Sequence, residues 1–239
     1  MVKSVDSWDS RAESYAKSPI RDEETYQEKL EVTHGYFNFD SQVFEFGCGT
    51  GTGTTAINHA PFIGKIVATD ISPKMIEIAK QKAKDAGIDN VEFQCATLEN
   101  FSAADASFDV VLAHNILHLM EDPESAIKYS YKLLKPGGVV VTSSACLGDS
   151  LSPWRLLLLV EKLFGKVPDV NLLKRETLEN YFEQAGFVVD AHWRRSKMAA
   201  FIILKKPFDR RLDNHTRLDT GGICHYLSKM KVLKKRMNF

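Results

Sequence analysis

Val43-Phe44-Glu45-Phe46-Gly47-Cys48-Gly49-Thr50-Gly51-Thr52-Gly53 is a short apolar run that passes into glycine at every second position. Val43, Phe44 and Phe46 read as a strand of a parallel sheet, buried on both faces, because apolar residues on either side of Glu45 leave no face for water. The glycines that follow lack the Cβ atoms that would hold a ligand away from the backbone, so a nucleotide-like pocket is expected where strand meets turn. Glu45 narrows the choice of ligand. A carboxylate one residue inside the strand end suits a ligand that carries a cation at this edge, whereas a pyrophosphate needs only backbone N–H groups.

About twenty residues on, Lys65-Ile66-Val67-Ala68-Thr69-Asp70 supplies a second buried strand ending in an acid, the placement that lets a carboxylate accept both hydrogen bonds of a ribose diol. Ser72 then caps a helix with Pro73 at its first position, and Met75, Ile76, Ala79, Ala83 and Ala86 recur at helical spacing until Gly87. Strands are predicted over Val91 to Cys95, Phe108 to Ala113 and Gly138 to Ser144, with a helix over Pro123 to Leu134 and a tight turn at Pro136-Gly137-Gly138. This alternation makes an α/β fold with a parallel sheet covered on both faces. After a helix over Glu176 to Ala185, two strands, Phe187 to Trp193 and Ala199 to Lys205, stand too close for a crossover, so that pair is antiparallel.

In sequence order, the Glu45-to-Gly51 loop, Asp70-Ile71-Ser72-Pro73-Lys74-Met75, Val91-Glu92-Phe93-Gln94-Cys95-Ala96-Thr97, Phe108-Asp109-Val110-Val111 and Leu133-Leu134-Lys135-Pro136-Gly137-Gly138 together resemble the class I S-adenosylmethionine-dependent methyltransferases. The likeness covers roughly residues 8 to 205 and is nearest to the small-molecule, ubiquinone/menaquinone methyltransferase-like group. It implies a Rossmann-like three-layer sandwich, with a mixed seven-stranded sheet whose last strand is antiparallel. It also implies S-adenosylmethionine as cofactor and S-adenosylhomocysteine as product. Gly47, Cys48, Gly49 and Gly51 then pack against the methionine part, Glu45 contributes to cofactor binding, Asp70 holds the ribose, and Ile71 and Met75 flank the adenine.

Thr97 departs from the family pattern, which commonly places there an Asp that accepts from the adenine amino group. A hydroxyl can still accept that bond without charge assistance, and the backbone N–H of Leu98 could serve adenine whatever the side chain. His114 and His118, in Ala113-His114-Asn115-Ile116-Leu117-His118 at the end of the fourth strand, are the candidate general bases, since imidazole titrates near working pH. His114 is equally a residue that presents only its backbone to the cofactor. The stretch lacks the Asn/Asp-Pro-Pro-aromatic tetrapeptide of amino-group methyltransferases, which argues against adenine or glutamine as acceptor.

Residues 1–35 are read as an N-terminal cap in which Tyr15 covers the methyl-donor end and Lys17 or Ser18 reaches the cofactor carboxylate. An amphipathic helix packing Trp8, Ala12 and Tyr15 on the sheet edge is the competing reading. Residues 147–173 form an insertion, with Leu151-Ser152-Pro153-Trp154 and the run Leu156 to Val160 carrying more apolar surface than one sheet contact requires. It serves as a lid over a small apolar or aromatic acceptor or as a homodimer interface.

The net charge of zero conceals a split, since Lys205 to Phe239 holds ten Lys or Arg against three Asp or Glu. The domain is placed at 1–206 and a basic tail at 207–239, read as a solvated appendage, so nucleic acid is not an expected partner. The chain shows no charged-then-apolar leader at Met1 to Tyr15 and no apolar run long enough to span a bilayer, so a soluble cytoplasmic protein is expected. Cys48, Cys95, Cys146 and Cys224 lack metal-ligand spacing, so reduced thiols and no metal are expected. An S-adenosylmethionine binder that transfers nothing, or modifies the cofactor itself, is the alternative function. A nicotinamide-dependent oxidoreductase is disfavoured by Glu45 and by the antiparallel closing pair.

Overall fold

The computed structural model describes residues 2–20, 22–51, 56–149, 170–193 and 199–208. Met1–Pro207 group into one compact unit. Most of the 147–173 insertion, including Trp154, and the tail beyond Phe208, including Cys224, lie outside the described residues.

Seven strands form one sheet in the order β3-β2-β1-β4-β5-β7-β6. They are β1 (Gln42–Phe46), β2 (Lys65–Asp70), β3 (Val91–Cys95), β4 (Phe108–His114), β5 (Leu134–Ala145), β6 (Val188–Trp193) and β7 (Ala199–Lys205). The five central and left-hand strands pair in parallel, and β7 alone runs against both of its neighbours, β5 and β6. The closing pair is therefore antiparallel, as the short connection requires. The strand order reverses between β1 and β4, and in open α/β sheets the crevice at such a switch point takes the ligand.

The six helices described are α1 (Val2–Lys17), α2 (Glu23–His34), α3 (Ala56–His59), α4 (Pro73–Asp85), α5 (Pro123–Leu133) and α6 (Arg175–Gln184). Burial on both faces explains the near-continuous apolar strands, with Val43, Phe44, Val111, Leu112, Val141 and Ile203 all at 1% exposure or less. One core layer carries Phe44, Phe101, Leu117, Ile127, Leu178 and Phe182, and the other carries Val43, Ile66, Ile76, Ala79, Val110 and Phe201. Helix α4 starts where its sequence says it should. The Ser72 side chain accepts from the Met75 N–H, Pro73 occupies the first turn, and Gly87 at φ 68° lies just beyond the last turn.

The structure moves one boundary further than fraying explains. Strand β5 begins at Leu134, with Pro136, Gly137 and Gly138 inside it, so the expected turn is an irregularity in the strand. Pairing with β4 jumps from Phe108↔Leu134 to Val110↔Val139 across it. Gly138 has no room for a side chain, since a Cβ there would lie 2.9 Å from the Asp109 carbonyl oxygen. Helix α6 and strand β6 each differ from the expected start by one residue. Among the described residues no helix is long and apolar enough to cross a membrane.

Candidate functional site

A cavity of about 850 Å³ opens at the carboxyl ends of the strands, over the switch point. Six segments reach it, one of them bringing Asn171 from the stretch before α6. The turn after β1 brings Gly47 and Gly49, β2 and the start of α4 bring Asp70, Ile71 and Met75, and the turn after β3 brings Thr97 and Leu98. The segment after β4 brings Ile116, Leu119 and Met120, and α1 covers the opening with Trp8 and Tyr15.

The glycines divide by role. Gly47 sits at φ +69°, and a Cβ there would come within 2.6 Å of the Ile116 side chain. Gly49 also has positive φ, and both leave backbone at the cavity wall. Gly51, at φ +73°, borders no part of the cavity; its missing Cβ makes room for Ile57, 2.6 Å away. Cys48 between them is fully buried, its N–H donates to the Thr69 carbonyl at 2.9 Å, and burial holds its thiol well above the usual range. Small size rather than reactivity therefore accounts for it.

Asp70 organises the turn as well as facing the cavity. One carboxylate oxygen accepts the Gly49 N–H and the other the Ser72 N–H, each at 2.9 Å. Burial raises its pKa, and the backbone N–H groups of Ser72, Gly49 and Ile71 oppose that shift. Glu45 lies fully buried beneath the turn, where a carboxylate oxygen accepts the Ala56 N–H at 2.8 Å at the start of α3. It does not border the cavity, but its charge reaches Tyr26, whose phenol is pushed up to about 12 by burial first and Glu45 second. The Tyr15 phenol is also raised, by burial, then Asp70, then Glu45.

Thr97 and Leu98 form the wall opposite. The Thr97 hydroxyl accepts the Asn100 N–H at 3.1 Å and so holds its own turn, while keeping a proton to donate. The Leu98 N–H makes no hydrogen bond among the described residues, leaving a donor at a cavity wall.

The two histidines part company. His114 is 6% exposed, its Nδ1 is 3.1 Å from the Ser143 hydroxyl, and its Nε2 has no partner. Burial first and the charge of Lys29 second lower it to about 3, so the ring is neutral at pH 7. His118 is brought to β5 instead. Its Nδ1 accepts the Ala145 N–H at 3.4 Å, its carbonyl accepts the Asn171 N–H at 2.7 Å, and burial lowers it to about 4. Neither imidazole lines the cavity.

Helix α1 packs against α4. An Asp9 carboxylate oxygen accepts from the Ser72 hydroxyl and, at 3.4 Å, from the Lys74 N–H, placing an anion at the amino end of α4. Ala12 is buried at 1% exposure, so the helix both packs and covers. Sequence reasoning missed Trp8, Ile116, Met120 and Asn171 as cavity residues. The signal for Ile116 is Asn115, whose positive φ of 54° turns the chain back over Gly47.

The donors suit an adenosine with a charged tail. Asp70 provides an acceptor pair for a diol, Ile71, Met75 and Leu98 provide an apolar slot for a flat ring, and two Cβ-free residues provide a cradle. Among the described residues no His, Cys, Asp or Glu group could hold a metal ion.

A model of the methyltransferase domain family matches residues 44–142. The demethylmenaquinone methyltransferase of Staphylococcus epidermidis is 30% identical over 165 residues, covering 62% of this chain and 68% of that one. The tRNA 5-carboxymethoxyuridine methyltransferase of Escherichia coli is 36% identical over 94 residues, covering 38% of this chain and 36% of that one. A crystal structure of a SAM-dependent methyltransferase from Aquifex aeolicus superposes with a TM-score of 0.62 at 16% identity, over 81% of this chain and 96% of that one. The chain spans about a third of the length of several curated relatives it matches.

Proposed function

This chain belongs to the S-adenosylmethionine-dependent methyltransferase family, and from that premise we propose that it transfers a methyl group to a small apolar or aromatic acceptor. The observation that carries the reading is one cavity in which the Asp70 carboxylate, the Gly47–Gly49 backbone and an apolar wall of Ile116, Leu119 and Met120 meet. When bound, the cofactor supplies a methyl group made electrophilic by its sulfonium, so the protein's task is alignment and exclusion of water.

Asp70 accepts the two ribose hydroxyls, with its orientation fixed by the Gly49 and Ser72 N–H groups. Ile71, Met75 and Leu98 hold the adenine, and the free Leu98 N–H donates to a ring nitrogen. Glu45 adds fixed negative charge under the glycine turn, which suits a cationic tail. Trp8 and Tyr15, in edge-to-face contact with centroids 6.4 Å apart, cover the opening. His114 stays neutral, and its free Nε2 can take a proton only from an acceptor already brought against it. An aromatic acceptor also fits the relative named for demethylmenaquinone.

Calorimetric titration with S-adenosylmethionine, S-adenosylhomocysteine and NADH tests the reading. Micromolar binding of both adenosyl ligands, lost in Asp70→Ala, is the expected result, and an acceptor screen with phenols and quinols follows. Binding of NADH alone would overturn it.

A further inference from the structure

Beside the cavity, on the β5 side of β4, the sheet carries a row of residues that cofactor binding does not use. His114 of β4 stands in register with Ser143 of β5, and Ser143 with Phe201 of β7, so the three share one face of the sheet. The His114 and Phe201 rings lie nearly parallel, 10° apart, with centroids separated by 6.3 Å. Above them stands Lys29 of α2, its ammonium 5.7 Å from the centre of the Phe201 ring. Among the described residues no carboxylate forms an ion pair with Lys29. A half-buried cation seated over a ring, with the charge of Asp22 acting on it from beyond ion-pair distance, has capacity for a closer anion.

Tyr26 lies three residues before Lys29, hence on the same side of α2, and its phenol feels the charges of Glu45 and of Tyr15, which lines the cavity. His114 leads directly through Asn115 into Ile116, the wall of the acceptor half. The row also carries a buried polar atom with no partner, Nε2 of His114.

We propose that Lys29 is the acceptor-recognition residue of this site, and that the acceptor carries an anionic group, a carboxylate or an ionised phenol, which pairs with the Lys29 ammonium over Phe201. This rests on the methyltransferase reading and names its substrate class. The cofactor's own carboxylate is the other source of the same chemistry, and strand order favours the acceptor. Phe201 lies three strands from the glycine turn of β1, roughly 14 Å across the sheet, on the side of β4, whose end leads into the Ile116 wall. Lys29 also helps hold His114 uncharged, after burial, so an anion seated on Lys29 relieves that effect and makes His114 a better proton acceptor when the acceptor is present.

The test uses the full chain saturated with S-adenosylhomocysteine and two probes of one shape, 3,4-dihydroxybenzoate and its neutral amide, with binding followed by calorimetry. The wild type should bind the benzoate at least about tenfold tighter than the amide, a difference of about 1.4 kcal/mol. Lys29→Met should remove that preference and Lys29→Arg should keep it, with S-adenosylhomocysteine affinity unchanged in both; Lys29→Gln replaces the Met variant if that does not fold. By NMR, the benzoate should raise the His114 titration midpoint in the wild type and not in the Met variant. No anion preference in the wild type, or a preference that survives loss of the amine, overturns the proposal. So does a parallel loss of S-adenosylhomocysteine affinity, which would assign the amine to the cofactor's carboxylate. Failure of the wild type to bind S-adenosylhomocysteine would instead remove the methyltransferase reading, and this proposal with it.

Discussion

Gly47 is the residue at which one added methyl group closes the site. In Gly47→Ala the new Cβ would lie 2.6 Å from Ile116, at a φ of +69° that costs an L-residue about 1–2 kcal/mol. We expect S-adenosylhomocysteine affinity to fall at least about tenfold while the melting curve stays cooperative, and unchanged calorimetric affinity would remove Gly47 from the cradle. Asp70 tests the opposite wall. Asp70→Asn keeps the volume but replaces a carboxylate that accepts two backbone N–H groups with an amide that has one acceptor oxygen. The expected cost is about 1–2 kcal/mol in urea denaturation, with at least about tenfold weaker binding of the adenosyl ligand. Both residues were legible in the sequence because each answers a local demand, Cβ-free backbone at a turn and an acid at a strand end. The hydrogen-bond partner of Glu45 was not legible. Its carboxylate caps Ala56, eleven residues on, and that pairing depends on the path of the intervening turn. His118 misled for a similar reason, since nothing near it in sequence announces that β5 brings Ala145 to its ring.

Elements were legible in proportion to how much of their signal is local. Helix α4 carried a cap, a first-turn proline and a terminal glycine, and all stand where the spacing put them. Helix α2 carried little, because only Leu30 and Thr33 of its twelve residues are buried, so its apolar stripe is too thin to read. Strand β5 was shortened in the reading because Pro-Gly-Gly resembles a turn, although the irregular register with β4 accommodates it. Helix α1 gives the element-scale prediction. Its Asp9 carboxylate holds the amino end of α4, where Ser72 also caps and Asp70 binds the Ser72 N–H. Asp9→Ala should loosen the cover formed by Trp8 and Tyr15 and weaken S-adenosylhomocysteine binding about fivefold, the equivalent of about 1 kcal/mol. The melting temperature should change little, because Ser72 still caps α4. Ser72→Ala removes that cap together with the hydroxyl that Asp9 holds, so it should cost about 1 kcal/mol of stability and also weaken binding, whereas Asp9→Ala should weaken binding alone in paired melts and titrations.

At the scale of the whole molecule, the sheet keeps uncharged histidines inside a core built for apolar groups, and this makes stability depend on pH. His59 is fully buried, with ring centroids 4.6 Å from His34 and 4.7 Å from Phe37, and neither of its nitrogens has a partner. Burial, then His34 and His114, lower it to about 2, while His114 is lowered to about 3 by burial and Lys29. His34 is lowered by burial, against the opposing charge of Glu31. The sign follows from proton counts. Below about pH 6.5 the unfolded chain binds protons on these rings and the native state does not, so stability falls as pH falls from about 6.5 toward about 3. At pH 5 each fully shifted ring contributes about 2 kcal/mol of loss, about 6 kcal/mol for His59, His114 and His118 together. Asp70 acts in the reverse direction, because a carboxyl raised by burial regains stability as it is protonated, and this offsets part of the loss at the acid end. Urea denaturation of the wild type should therefore show a clearly lower midpoint at pH 5 than at pH 7, with the slope unchanged. His59→Leu, which keeps an apolar side chain in the same pocket, should remove about a third of that difference. A wild-type midpoint equal at the two pH values would mean that the buried rings take up protons without unfolding, and the neutral-histidine account of this core would then be wrong.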